Sequence, residues 1–150
     1  MRIKAFIDTN VLLDYILGYR PSSPAAQSIF SLVKEHSIEA VITSQSLIDA
    51  SFFVAKDPKG DMAGFIECVR IINDYFNTEQ IDSFDILWAC RHYSGNFEDD
   101  ALYARAVDTC CDVFVTNDRK LRERRSGNED QILFLSPEEF IDKITIRTAR

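Results

Sequence analysis

The sequence predicts an α/β fold, a parallel β-sheet with helices on both faces, from three observations. Short apolar runs of strand length alternate along the chain with segments of helical periodicity. Polar or acidic turns able to start a helix separate them. No repeat, low-complexity tract or linker interrupts the 150 residues, so residues 1–150 read as a single domain with one core.

Residues 2–7 carry Ile3, Ala5, Phe6 and Ile7, which suits a buried first strand. Asp8-Thr9-Asn10 ends it, with Asn10 as the expected cap of a helix over residues 11–17 that Gly18 stops. Ser23 is expected to cap a second helix that opens with Pro24 and carries Ala25, Ile29, Leu32 and Val33. Residues 38–42 form the second strand, and Thr43 to Ser46 turn into a helix over residues 47–55. Asp61 opens another helix, with Met62, Phe65, Ile66, Val69 and Ile72 at helical spacing. A short strand falls in residues 76–81 and a helix in 83–93; Glu98-Asp99-Asp100 starts a further helix carrying Leu102, Tyr103, Ala106 and Val107. Residues 113–116 and 132–135 are the last strands, and Ser136-Pro137-Glu138-Glu139 opens the last helix with a capping-box pattern.

Composition narrows the function. The longest apolar runs are far too short to cross a bilayer, and the start reads as a strand rather than a signal peptide, so the expected location is the cytoplasm. Four cysteines without a CxxC pair and only two histidines argue against zinc, and leave reduced cysteines as small core residues. A formal charge of −7 speaks against a general polyanion binder, although a local basic patch would still serve a nucleic-acid enzyme.

Functional groups of open α/β sheets collect beyond the carboxyl ends of the strands. Asp8 ends the first strand, Asp49 lies on the helix entered after the second, and Asp118 follows residues 113–116. Asp100 joins them from the start of a helix. Two carboxylates about 4 Å apart repel by roughly 4 kcal/mol at an effective dielectric near 20, so four together require protons or a cation. Hard oxygen ligands of this kind suit Mg²⁺ or Mn²⁺. Each acid also has a plain structural reading, as a cap, a dipole partner or a turn residue; Asp49 fits that reading least, among Leu47, Ile48, Phe52 and Phe53.

Four motifs then resemble one family. Phe6-Ile7-Asp8-Thr9-Asn10-Val11-Leu12-Leu13-Asp14 is similar to the opening of PIN domains, and Ser44-Gln45-Ser46-Leu47-Ile48-Asp49 to their second motif, where many members carry glutamate. Phe97-Glu98-Asp99-Asp100-Ala101-Leu102 resembles the third and Val113-Phe114-Val115-Thr116-Asn117-Asp118 the fourth. The resemblance covers nearly the whole chain in order and spacing. It implies a three-layer sandwich and a metal-dependent endoribonuclease with Asp8, Asp49, Asp100 and Asp118 as Mg²⁺ or Mn²⁺ ligands. It also implies the toxin of a VapBC-type pair, a homodimer inhibited by a small antitoxin. Neighbouring helical side chains point about 100° apart, so only one of Asp99 and Asp100 can aim well at a metal; Asp100 is favoured and Asp99 is the alternate.

Thr9, Asn10, Thr116 and Asn117 are candidates to hydrogen-bond the ligand carboxylates. Arg119, Lys120, Arg122, Arg124 and Arg125 form a basic run that reads either as an RNA-binding patch or as a solvated turn continuing into Ser126 and Gly127. The rival to a nuclease is a PIN scaffold without activity, used for binding or assembly.

Overall fold

β1 (Lys4–Ile7) lies at the centre of the sheet because it carries apolar side chains for both faces. Ala5 and Ile7 enter one core and Phe6 the other, the period-two alternation of a strand. β2 (Glu39–Thr43) repeats the pattern with Ala40 and Ile42 against Val41, and β4 (Val113–Val115) with Val113 and Val115 against Phe114. With β3 (Asn77–Glu79) and β5 (Leu133–Leu135) they make a five-stranded sheet, all pairs parallel, in the order β3-β2-β1-β4-β5. These features belong to a computed structural model that describes residues 2–125 and 132–150.

The first face is covered by α1 (Thr9–Leu17), α2 (Ser23–Lys34), α3 (Ser44–Lys56), α4 (Met62–Tyr75) and α8 (Pro137–Thr148). Val11, Leu12, Ile29, Phe30, Val54, Ile72 and Phe140 fill that core. Across the sheet stand α5 (Ser83–Arg91), α6 (Phe97–Asp108) and α7 (Arg119–Arg125), which supply Trp88, Leu102, Tyr103, Ala106 and Leu121. The result is the expected three-layer α/β sandwich. Among the described residues no helix is long and apolar enough to cross a membrane.

The chain runs from β1 outward to β2 and β3, then returns to β4 on the other side of β1. That reversal opens a crevice at the carboxyl ends of β1 and β4, where Asp8 and Asp118 stand.

Several local expectations need correction. Asp8, not Asn10, caps α1, its carboxylate accepting from Thr9 N at 2.8 Å. Ser22 precedes α2 and Ser23 is its first residue, with the Ser23 hydroxyl donating to the Asp14 carbonyl at 2.6 Å. Gly18 does stop α1, in the left-handed conformation at φ 74° that favours glycine. Cys68 and Cys111 are buried as expected, whereas Cys90 and Cys110 are exposed; all four are free thiols. The solvated turn read through the basic run is helical from Arg119 to Arg125, and its Ser126 and Gly127 lie outside the described residues.

Candidate active site

A cavity of about 770 Å³ occupies the crevice, and Asp8, Asp49, Glu98, Asp99 and Asp118 line it. Asp8 is its deepest carboxylate, only 6% exposed. Besides Thr9 N it accepts from the Thr116 hydroxyl at 2.7 Å and from Asn10 Nδ2 at 3.3 Å. Burial pushes its pKa up to about 6 against these hydrogen bonds, and Asp99 and Glu98 push it the same way. Thr116 also accepts from Asp118 N at 3.0 Å, so one hydroxyl ties the ends of β1 and β4 together. Asp118 in turn caps α7, accepting from Leu121 N at 3.1 Å.

Asn10 and Thr116 thus reach Asp8, while the other two expected carboxylate partners go elsewhere. The Thr9 hydroxyl donates to Ser46 Oγ at 2.8 Å. Asn117 donates from its side chain to Asp14, a buried acid paired with Arg20 at 3.0 Å, and from its backbone to Asn10 Oδ1 at 3.0 Å. Both therefore fasten α1 to its neighbours and hold the strand ends in register.

Asp49 sits one helical turn into α3, where it accepts from Gln45 Nε2 at 2.9 Å. Glu98 lines the same cavity. Desolvation first, and the Asp49 charge second, raise the Glu98 pKa. Sequence reasoning took Glu98 only as part of a helix start, although three consecutive acids there must spread over more than half a turn.

The third motif requires a correction. Asp100 is fully buried and does not line the cavity. Its carboxylate accepts from Ser94 N at 2.8 Å, from the Ser94 hydroxyl and from Arg125 Nη2 at 2.9 Å. Asn96 caps α6 on Asp99 N, and from that start Asp99 turns to the cavity while Asp100 turns to the Ser94 loop. Burial raises the Asp99 pKa; the Arg124 guanidinium at 2.9 Å opposes this, and Asp118 and Asp100 add to it.

The basic run is likewise not one solvent-facing patch. Arg125 pairs with Asp100 and its side chain is only 8% exposed. Arg124 pairs with Asp99, and Arg122 donates to the Thr116 carbonyl at 2.7 Å. Lys120 is exposed, and so is Arg119, which pairs with Glu123 at 2.8 Å.

The donor set suits a hard divalent cation. It consists of carboxylate oxygens, and the mutual repulsion written into the shifts of Asp8, Glu98 and Asp99 is what such an ion relieves. As they stand, no three of the acidic, histidine or cysteine side chains among the described residues are gathered to hold a metal. Asp8, Asp49, Asp99 and Asp118 share the cavity.

The family model for the PIN domain matches residues 4–120. No curated protein matches the chain. Among solved structures, VapBC2 from Rickettsia felis, bound to a DNA fragment from its promoter, superposes with a TM-score of 0.61 at 15% identity over 89% of this chain and 98% of that one. PAE2754 from Pyrobaculum aerophilum gives 0.63 at 16% identity, over 96% and 90%. VapC20 from Mycobacterium tuberculosis, a toxin that cleaves the sarcin-ricin loop, gives 0.62 at 13% identity, over 78% and 92%. At such identities these likenesses speak for the fold, and the match of the family model speaks for membership: the chain belongs to the PIN domain family.

Proposed function

We propose that residues 1–150 form one nuclease domain, a Mg²⁺- or Mn²⁺-dependent endoribonuclease acting as the toxin of a VapBC-type pair. The observation that carries this reading is the meeting of Asp8, Asp49, Asp99 and Asp118 on one cavity at the carboxyl ends of parallel strands. These four would hold the ion, with Glu98 beside Asp49. A bound ion of this class activates a water and neutralises charge developing on a scissile phosphate. The chain's own groups set the frame. Thr116 and Asn10 fix the Asp8 carboxylate, and Thr116 fixes the Asp118 backbone relative to it. Lys120 and Arg119, exposed where α7 begins, are the cations best placed to meet the RNA backbone.

Partners follow from the surface. Ile48, Phe52 and Phe53 on α3 and Met62 and Ile66 on α4 are exposed apolar side chains, which supports a homodimer or an antitoxin covering them. The Rickettsia protein and a toxin–antitoxin complex from Klebsiella pneumoniae, similar in fold, support the antitoxin. The cytoplasm, where RNA is made and used, is the location that fits.

The rival, a PIN scaffold that only binds, is favoured by the ungathered carboxylates. One experiment separates the two: cleavage of a structured RNA with Mg²⁺, Mn²⁺ or EDTA, beside Asp8→Asn, with thermal melting in each buffer. Metal-dependent cleavage that Asp8→Asn abolishes is the expected result. Absence of both cleavage and metal-induced stabilisation would sink the nuclease and leave the scaffold.

A further inference from the structure

α7 contacts the cavity carboxylates from both of its ends. At its start Asp118 accepts from Leu121 N at 3.1 Å, and the Asp118 carbonyl accepts from Arg122 N at 3.1 Å. Near its end Arg124 Nη2 donates to Asp99 Oδ2 at 2.9 Å, with the two side chains 28% and 12% exposed. The helix between them is pinned. Leu121 is fully buried, Arg122 holds the Thr116 carbonyl, and the Arg125 guanidinium pairs with Asp100 while lying 4.1 Å over the Tyr103 ring. The Arg124 guanidinium is therefore a placed cation rather than a wandering one.

Its partner, Asp99, is one of the acids that line the cavity. Asp99 is drawn toward α7, and no three acids are gathered with it. A dication and a guanidinium on one carboxylate would repel at close range. We infer that Arg124 is the built-in counter-ion of the metal-free cavity, and that a divalent ion must compete with its guanidinium for Asp99. In this arrangement Arg124 is a positioning residue: it neutralises the acids while metal is scarce and sets the metal concentration at which the cavity loads. The inference rests on the metal site proposed above.

The test is calorimetric titration of Mn²⁺ into the metal-free full chain and three variants. Arg124→Gln removes the competitor and is expected to tighten Mn²⁺ binding about tenfold, which is about 1.4 kcal/mol. Arg124→Lys keeps the charge but loses the planar fork, and is expected to tighten it by a smaller factor. Arg70→Gln deletes the same charge from an exposed pair with Glu67 on α4, and is expected to change binding less than twofold. Equal or weaker binding in both Arg124 variants would overturn the inference while leaving the metal site standing, as would an equal gain in Arg70→Gln. No Mn²⁺ binding by the unsubstituted chain would overturn both. Should Arg124→Gln fail to fold, Arg124→Lys alone decides, because tighter binding there still requires that the original guanidinium competes.

Discussion

Around Arg105, four carboxylates share one guanidinium; at the cavity, Arg124 pairs with Asp99, and Arg20, also in the lining, pairs with Asp14. Arg105 is 7% exposed and reaches Asp82 at 2.7 Å, Asp85 at 2.8 Å, Asp108 at 3.1 Å and Glu79 at 3.9 Å. There the Asp82 pKa is lowered, by the Asp85 backbone N–H first and by Arg105 as well. Asp8 in the cavity is pushed the other way, to about 6. Both regions crowd acids at the ends of secondary-structure elements. One is completed by a cation the chain supplies; in the other, Arg124 pairs with Asp99. How an acid cluster behaves thus depends on how its counter-charges are placed, not on the number of acids.

The comparison breaks most clearly at Arg105. Removing one partner of a buried ion pair costs about 3–5 kcal/mol. Asp85, whose side chain is 4% exposed, makes this case fit that range, while the more exposed arms add little. Arg105→Met is expected to lower the melting temperature by about 10 °C, and Mn²⁺ should not restore it. A variant as stable as the parent would mean that the network is not what holds α5 against α6.

The second effect is a pH dependence of opposite origin. Asp8 has a folded-state pKa near 6 against 3.8 in the unfolded chain, so between those values the native state holds the extra proton. The contribution of Asp8 to the stability of the metal-free protein is therefore full below about pH 4 and is lost as pH rises through about 6. Two pKa units bound the loss at about 3 kcal/mol. Urea unfolding in EDTA at pH 4.5 and pH 7 should show this slope in the parent and a flatter one in Asp8→Asn. If the slope survives the substitution unchanged, Asp8 is not the group responsible.

The two regions also differ in how far the sequence discloses them. Asp8 and Asp118 are legible because an apolar run followed by an acid marks a strand end, and the parallel order brings both to one crevice. The choice between Asp99 and Asp100 is not, because it depends on Ser94 folding back and on Arg124 and Arg125, each 25 residues further along the chain. For the same reason α7 reads as a solvated turn: its one buried apolar side chain is Leu121, and its arginines find partners only in tertiary structure. The Arg105 cluster is invisible for a related cause. Its four acids, from Glu79 to Asp108, are unremarkable caps and surface charges until β3, α5 and α6 meet.

The smallest effect sharpens the comparison most finely. If the Arg105 cluster is already neutralised, its members should differ by exposure and not by number. The Asp108 side chain is 70% exposed and sits one turn along α6 from Arg105. Such a pair contributes about 0.5 kcal/mol or less, because water screens it and ordering two side chains costs entropy. Asp108→Asn should therefore leave the unfolding midpoint almost unchanged, while Asp85→Asn, which removes the buried partner, should cost several times more. Equal losses would show that the four acids act as one unit around the guanidinium.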